Sequence, residues 1–509
     1  MKKQTIIVIS LIYLLAGASC KKGYLDINSN PNNSTDVGPE LILPAALNST
    51  AGRLITDRGA NGYPAISGWM GQWAVSGSYA VSNAVSFYNY NQTTDWGEGL
   101  WDDIYNNLED YYQVETQAAA QNKPFYVGVA KIMMSHEFQQ LVDMFGSVPY
   151  LDALKGTNVI QPTYTDAQAI YEDLINQIDS GINDIKVSQG AGVPTGKTSD
   201  IMFDGDVTSW VQFANTLKLR ILLRQTQMSG RDGYIQSHIN DIKNEGSGFL
   251  TTDAGASPGT GYINSAGKQN PFWGFNYNTS GTYINDFWRA NQFALDFYQE
   301  KNDPRRERVY GPTPSDPNAY AGNFLGQSTG ALVGSATSIF GPGVLKSVSQ
   351  PSIVISAAES YFLQSEAVLR GYLGGDAEDL YHQGITASFE FYGVADADAA
   401  AQTYYSQVGK SDVYWDNSRP FDYKLNLIIA QKWCAENTVT PFEEWCDYRR
   451  LPNLTFNQEI PLTQSIYAED PKIVPYRILY PTSEYGTNGD NLPDQADNAY
   501  RTDKIFWMP

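Results

Sequence analysis

The chain has 509 residues, enough for one large domain or for two or three of average size. It carries 34 Lys and Arg against 55 Asp and Glu, and the resulting net charge of -21 argues against nucleic acid as a partner. Charged residues make up 17% of the chain, below the about 25% that is usual, while 34 Tyr and 11 Trp accompany many Asn, Gly and Ser. This composition favours contact with neutral polar ligands.

The N-terminal segment has the pattern of an export signal. Lys2 and Lys3 precede an apolar run from Ile6 to Ala18, which is shorter than the about 20 residues needed to span a membrane. Small residues follow and lead directly to Cys20. The segment resembles a bacterial lipoprotein signal, although Gly17 stands where such signals usually carry Leu. We therefore expect lipid on Cys20, and no membrane-spanning helix, to anchor the protein.

The same pattern sets the expected domain organisation. Residues 1–19 are predicted to be a signal peptide and 20–40 a lipidated, turn-rich tether. A single domain is expected over 41–509, with an irregular insert at about 246–351 that is dominated by Gly, Pro, Ser and Asn. A loop region of that length inside a domain is usually functional.

Apolar periodicity predicts a mainly helical chain. The predicted helices, in chain order, cover 41–55, 101–120, 125–144, 166–185, 210–224, about 285–299, the two halves of 355–394, 424–437 and 441–451. The stretch 59–94 has no helical period and carries interleaved aromatic and small polar residues. We expect two kinds of surface, one built by helices and one built by loops.

The segment 355–394 is expected to organise the others. Phe362 and Leu369 share one face of a first helix, glycines then break the pattern, and Asp376 is a plausible N-cap for a second helix. Gly384 on the second helix would allow a close approach of the backbones. Two helices joined in this way form a helical hairpin, which we call the central hairpin. It resembles a tetratricopeptide unit, which buries its apolar face only by stacking on neighbouring units.

Three near-matches to catalytic motifs lack their required contexts. Ala191–Thr198 approximates a phosphate-binding loop, but a helix and no strand precedes it. Gly326–Gly330 satisfies G-x-S-x-G without a clear strand before it or helix after it, and a triad would need His382 from the hairpin. His136 begins a zincin-like pattern in which Gln140 replaces the second His, so the motif cannot hold zinc. We predict that the protein is not an enzyme, although carboxylate pairs for glycoside hydrolysis stay open as an alternative.

Several segments together resemble one family. They are FGSVPY at 145–150, WVQFANTLKLRILLR at 210–224, the hairpin sequence, and FEEWCDYRRLP at 442–452. In this order, with the lipoprotein signal and the Asn-rich tether, they resemble the SusD/RagB-like outer-membrane lipoproteins of Bacteroidetes. The resemblance implies a SusD-like fold of tetratricopeptide-like hairpins carrying a long, loop-rich ligand-binding face.

The resemblance also implies a function and a partner. It implies a non-catalytic nutrient-binding lipoprotein that captures oligosaccharides and passes them to a SusC-type TonB-dependent outer-membrane transporter. The implied location is the outer membrane, lipid-anchored and exposed at the cell surface, although Lys21 and Lys22 replace the acidic residues that often follow the cysteine of exposed lipoproteins. Peptides are an alternative ligand, a glycoside hydrolase is an alternative activity, and a pure protein-binding scaffold is disfavoured by the long aromatic loops.

The ligand site is predicted from composition alone. Sugars pack their C–H faces on Trp and Tyr rings and need fixed amide or carboxylate partners for their hydroxyls. The loops 63–90 and 272–288 hold the densest mixture of these residue types outside a helical stripe. The predicted ligand-binding residues are Trp73, Tyr88, Trp273, Tyr277, Trp69, Tyr79, Tyr283 and Asn276.

Two smaller questions stay open at this stage. Cys434 and Cys446 lie on consecutive predicted helices, where either a disulfide or two buried free thiols would fit, and the thiols are favoured. No cofactor is expected. Structural calcium is conceivable at the aspartates of 204–206 or 490–494, but neither has the spacing of an EF-hand loop.

Overall fold

Helices dominate the structure. The computed structural model describes residues 37–82, 86–189, 192–194 and 199–509. Within those residues the helices are α1 (Pro39–Arg53), α2 (Tyr63–Trp69), α3 (Glu98–Ala120), α4 (Pro124–Phe145), α5 (Ala167–Val187), α6 (Val207–Arg224), α7 (Asp232–Glu245), α8 (Pro271–Asn276), α9 (Gln292–Glu300), α10 (Arg306–Val309), α11 (Ala357–Leu369), α12 (Ala377–Tyr392), α13 (Ala397–Tyr405), α14 (Phe421–Glu436), α15 (Pro441–Arg450), α16 (Thr455–Glu459), α17 (Thr482–Thr487) and α18 (Ala499–Thr502).

The described strands form three small antiparallel pairs. They are β1 (Trp73–Val75) with β5 (Trp288–Ala290), β2 (Val148–Pro149) with β3 (Tyr164–Thr165), and β4 (Ala254–Ala256) with β6 (Ser352–Ile355). Two of these pairs join the predicted insert to other parts of the chain. The insert itself contains only short elements, from β4 to α10, as its Gly- and Pro-rich sequence indicates.

The predicted fold class, mainly α with helical hairpins, is confirmed. Sequential helices pack against each other in the pairs α3–α4, α4–α5 and α11–α12, and the last pair also contacts α14. The sequence did not predict α7 or α13, nor the short helices α2 and α8, which lie in the stretches expected to be loops. Helix α9 begins at Gln292 and not near 285, because Asn291 caps it by accepting a hydrogen bond from the Phe293 amide (3.0 Å) and the preceding residues belong to β5.

The central hairpin forms as its sequence predicts. Asp376 caps α12, and its carboxylate accepts a hydrogen bond from the amide of Glu378 (2.9 Å). Phe362 of α11 is fully buried against Tyr381 of α12, with ring centroids 6.2 Å apart. Leu369, the second predicted core residue, is half-buried at the end of α11. The core face of α11 is therefore the predicted one, and burial decreases towards its C-terminus.

A buried network of ion pairs joins α6, α11 and α15. The Arg220 guanidinium of α6 donates to both carboxylate oxygens of Glu359 on α11, at 2.8 and 2.7 Å. Arg450 of α15 binds Glu366 of α11 in the same way, at 2.6 and 2.8 Å. Each pair has two parallel N–H···O bonds, which fix the relative rotation of the helices as well as their spacing. The sequence FEEWCDYRRLP supplies much of this network and lies in the core, not at a ligand site.

The cysteine prediction can be compared with the structure, and the prediction for the N-terminal segment cannot. Cys434 and Cys446 are both buried free thiols, which is the alternative that the sequence favoured. The signal peptide, Cys20 and most of the tether lie outside the described residues, so these predictions stand as they were. Among the described helices, none combines the length and the apolar character needed to cross a membrane.

Candidate functional site

The two predicted aromatic loops lie side by side. Strands β1 and β5 pair antiparallel, with Trp73 opposite Ala290 and Val75 opposite Trp288. The backbone amide of Ser76 then continues the contact by donating to the Phe287 carbonyl (2.8 Å). The chain segments that follow β1 and precede β5 therefore emerge at one edge and form a common surface.

Three of the predicted ligand-binding rings lie in the core. Trp69 and Trp73 have no exposed surface and Tyr88 is 2% exposed. Trp73 packs 4.6 Å from the Phe340 ring, and its indole N–H donates to Thr438 Oγ1 (3.0 Å). The expectation that these rings face solvent is wrong, because large aromatic rings gain most from burial and each finds its partners in distant parts of the chain.

The remaining predicted rings reach the surface. Trp273, Tyr277 and Tyr283 are half-buried, and Tyr79 is 43% exposed. Trp273 stacks on Tyr277 with ring centroids 4.8 Å apart and planes 28° apart. Tyr283 then meets Tyr277 edge-on, at 5.2 Å and 86°. We name these four rings the aromatic surface.

Local sequence explains why the segment 270–283 brings the rings of Trp273, Tyr277 and Tyr283 together. Asn270 caps α8 by accepting a hydrogen bond from the Trp273 amide (3.0 Å), and Pro271 occupies the first helical position. After α8, the Asn278 side chain accepts hydrogen bonds from the amides of Ser280 (3.1 Å) and Thr282 (2.9 Å), which closes a turn. That turn brings Tyr283 back beside Tyr277 as its antiparallel bridge partner.

The predicted amide Asn276 lies beneath the rings. It is fully buried, and its side-chain oxygen accepts hydrogen bonds from the Tyr283 hydroxyl (3.2 Å) and from the Asn285 amide (2.9 Å). A buried amide with these contacts cannot also meet a ligand. The prediction that Asn276 contacts ligand is therefore corrected to a supporting role, in which it positions the Tyr283 ring.

The sequence did not predict three apolar neighbours of the aromatic surface. Ile284, Leu332 and Val333 are 52%, 37% and 48% exposed. The backbone of Leu332 contacts the segment that carries Tyr79, since the Gly77 amide donates to the Leu332 carbonyl (2.8 Å). The only sequence signal was an apolar pair inside a Gly- and Ser-rich stretch. Exposed apolar residues gathered at one place usually mark a binding surface.

A buried arginine joins the segments of the surface. The Arg289 guanidinium lies 5.5 Å from the Tyr283 ring centroid and donates to Asp286 Oδ1 (2.8 Å) and to the Gly334 carbonyl (3.3 Å). Burial lowers the pKa of Arg289, although Tyr283 and Asp286 oppose that shift. Its hydrogen bonds go to the protein, so we assign it to holding the segments together and not to charge recognition.

A concave region in another part of the fold differs in chemistry from the aromatic surface. A cleft of about 660 Å³ lies beside the central hairpin and is lined by Asp379, Glu390 and Asp398, with the His382 ring stacked 3.8 Å from Tyr405. Its carboxylates favour a cationic occupant. The aromatic surface, in contrast, presents mainly neutral rings and apolar side chains, which suits a neutral ligand with flat C–H faces.

In the described part of the chain, two of the three catalytic near-matches do not form sites. His136 and Glu137 are buried inside α4, where burial lowers the pKa of His136 to about 3 and Glu137 forms an ion pair with Arg53. Ser328 of the G-x-S-x-G stretch lies in an exposed turn, whereas His382 lies within α12. Most of the phosphate-loop-like stretch 191–198 lies outside the described residues. Asp206, one of the aspartates considered for calcium, caps α6 by accepting from the Ser209 amide (2.7 Å).

The fold is a frame of helical hairpins that carries a face built by loops. Residues 32–481 match the family model SusD-like, described as starch-binding and associating with the outer membrane. The chain belongs to this SusD-like family. No curated protein matches the chain.

Solved structures share this fold at low sequence identity. A chitin-binding SusD homologue from Flavobacterium johnsoniae has a TM-score of 0.74 and 21% identity, with 91% of this chain and 98% of that chain covered. A SusD-like protein from Bacteroides thetaiotaomicron has a TM-score of 0.70 and 23% identity, over 88% and 94% of the two chains. A SusD homologue from Bacteroides fragilis has a TM-score of 0.72 and 18% identity, over 93% and 99%. The described architecture is therefore that of SusD homologues of Bacteroidetes.

Proposed function

We propose that the protein captures oligosaccharides on the aromatic surface, without cleaving them, and delivers them to a SusC-type TonB-dependent transporter. One observation carries the binding part of this proposal. Trp273, Tyr277 and Tyr283 lie together at the surface, and Trp273 is the one tryptophan among the described residues that is not buried. Half-buried rings of this kind are held rigidly yet keep area for the C–H face of a sugar.

The geometry assigns different roles to the stacked rings. Tyr277 has Trp273 stacked against it and Tyr283 at its side, so little of its surface is left for a ligand. Trp273 is stacked at one face only and is the larger ring. We therefore propose Trp273 as the main platform, Tyr277 as its support and Tyr79 as a second contact across the surface.

The class of oligosaccharide that binds is identified by testing candidate ligands. The family description names starch, and one structural relative is described as chitin-binding. Soluble malto-oligosaccharides and chito-oligosaccharides are therefore the first probes. Peptides are the alternative ligand, and a peptide mixture provides the opposing probe. Recovery of intact sugar after incubation would support binding without hydrolysis, and release of shorter sugars would contradict it.

The Trp273 platform can be tested by substitution. Trp273→Ala is expected to weaken oligosaccharide binding by about 1–3 kcal/mol, because the ring supplies the stacking area, and to change thermal stability little. Isothermal titration calorimetry measures the first quantity and thermal unfolding the second. Tyr485→Ala is the control, since Tyr485 is a surface ring (46% exposed) in another part of the chain.

Two results would overturn this assignment. Unchanged binding by Trp273→Ala and Tyr79→Ala would place the ligand elsewhere. Loss of binding by Tyr405→Ala, with the aromatic-surface variants unaffected, would move it to the acidic cleft beside the hairpin.

The anchor is tested separately. Cys20→Ala is expected to shift the protein from the membrane fraction to the soluble fraction, since a single thiol would carry the lipid. Fractionation followed by immunoblotting measures this shift. Cys434→Ala removes a buried thiol and should leave the protein in the membrane fraction. Equal membrane recovery of Cys20→Ala and wild type would contradict the lipid anchor.

The proposed partner is tested by affinity purification of the wild-type protein from membranes. A TonB-dependent transporter should be recovered with it, and its absence would contradict the proposed partnership.

A further inference from the structure

The packing of α5, α6 and α7 gathers three metal-binding side chains away from the aromatic surface. Asp179 of α5, with His238 and Asp241 of α7, each offer one ligand atom, and these atoms all lie within 4.8 Å of one another. His238 and Asp241 are three residues apart on one helix, so they project from the same face. Helix α5 supplies the third side chain from the opposite side.

One pair in this group has the spacing of two ligands on one ion. His238 Nδ1 and Asp241 Oδ2 lie 3.3 Å apart. Two ligands that each lie about 2.0–2.1 Å from a tetrahedral zinc ion are separated by about 3.3 Å. Nδ1 is also shielded from solvent, and apart from this contact with Asp241 it has no polar partner in the described part of the chain. A buried nitrogen lone pair that faces a carboxylate oxygen is the arrangement that a cation would satisfy.

Neighbouring side chains hold the ligands in place. Lys218 of α6 is buried, and its ammonium group donates to both oxygens of Asp179, at 2.6 and 2.7 Å. Each carboxylate oxygen keeps a further lone pair, and hydrogen bonds from a second group typically orient metal-binding carboxylates. The Tyr234 ring packs edge-on against His238, with centroids 4.5 Å apart, and limits rotation of the imidazole.

We infer that Asp179, His238 and Asp241 form a site for a divalent transition-metal ion, with zinc the best match. One imidazole and two carboxylates favour zinc, cobalt or nickel over calcium and magnesium, which prefer a set of oxygen ligands alone. Water would complete the coordination. Since the ligands come from α5 and α7, the ion would join these two helices at the surface, on a part of the frame that is separate from the proposed sugar site.

The site can be tested with metal ions alone. The full chain, without an affinity tag and after treatment with a chelator, is titrated with Zn²⁺ by calorimetry. We expect saturable binding of one ion per chain. His238→Ala should weaken that binding at least about 100-fold and Asp241→Asn at least about tenfold, because loss of a direct ligand costs no less than loss of an orienting neighbour. His382→Ala is the matched control, as His382 lies on α12 and stacks on Tyr405.

A second readout separates metal binding from a structural defect. Zn²⁺ should raise the thermal unfolding temperature of the wild type and of His382→Ala, and should leave that of His238→Ala unchanged. The chelated forms of wild type and His238→Ala should unfold at similar temperatures. Absence of saturable Zn²⁺ binding, or binding that His238→Ala leaves unchanged, would overturn the inference. Neither outcome bears on oligosaccharide binding.

Discussion

Replacing Phe362 with alanine is expected to lower the free energy of unfolding by about 3–5 kcal/mol, the largest stability loss that we predict for a single substitution. The ring is completely buried where α11 crosses α12. A Cβ atom added at Gly384 would come within 2.7 Å of the ring, which shows how closely the two helices approach. The cavity left by Phe362→Ala could not collapse readily in such a tight contact. Chemical denaturation of variant and wild type measures the difference.

Leu369 provides the matched control for this prediction. It lies on the same helix and the same face but is only half-buried, so Leu369→Ala should cost about 1–2 kcal/mol. Both variants should keep their affinity for the ligand, since the aromatic surface belongs to other elements. Equal losses for Phe362→Ala and Leu369→Ala would show that the burial gradient along α11 is not the cause.

The second large effect concerns pH. Glu436 of α14 is fully buried beside Glu359, and burial, reinforced by that carboxylate, raises its pKa to about 8. Its carboxyl group accepts a hydrogen bond from Ser356 Oγ (2.6 Å), while the Lys432 ammonium opposes the shift. At neutral pH the folded protein therefore keeps a proton on Glu436 that the unfolded chain has released.

The sign of the pH dependence follows from this difference. The contribution of Glu436 to stability is complete below its unfolded pKa and is lost as the pH rises towards about 8. Its slope cannot exceed about 1.4 kcal/mol per pH unit for a single group. Glu436→Gln cannot ionise, so its free energy of unfolding should fall less steeply than that of the wild type. Asp57, whose pKa burial raises to about 6, adds to the slope only at lower pH, so the interval between about pH 6 and about pH 8 is the informative one.

Two buried carboxyl groups near Glu436, those of Glu443 and Glu444, also have shifted pKa values. Burial also raises the pKa of Glu444, so part of the alkaline loss should persist in Glu436→Gln. Burial alone would raise the pKa of Glu443 as well, but Arg220 and Arg224 outweigh it and lower that pKa to about 2. Glu443 therefore loses its contribution only in strong acid. Identical slopes for Glu436→Gln and wild type between about pH 6 and about pH 8 would contradict the assignment of the proton to Glu436.

Local sequence was sufficient to predict the helical frame. The cap at Asp376 and the close approach at Gly384 depend on residues within one hairpin, and both predictions are confirmed. Helix α7 was missed although Ile235, Ile239 and Ile242 recur at helical spacing and are buried. They form a narrow stripe on an otherwise polar helix, and a stripe of that width is a weak signal.

The candidate site could be predicted only in part, because exposure of a ring depends on distant partners. Trp73 and Trp273 lie in similar local sequences, rich in aromatic and small polar residues. Trp73 is buried because Phe340 and Thr438 cover it, and Thr438 is 365 residues away along the chain. Trp273 lacks such a cover and stacks on Tyr277, within its own hairpin. Composition selected the two loops as candidates, and the long-range pairing decided which of their rings reach solvent.

The pairing of β1 with β5 has a consequence for how fast and how tightly a ligand can bind. Because these strands hold the described residues beside them in register, those residues lose their conformational freedom when the protein folds and not when a ligand arrives. Binding then carries little cost of ordering the protein. Association should therefore proceed without a slow rearrangement, and the residence time of the sugar should be determined by its contacts with the rings.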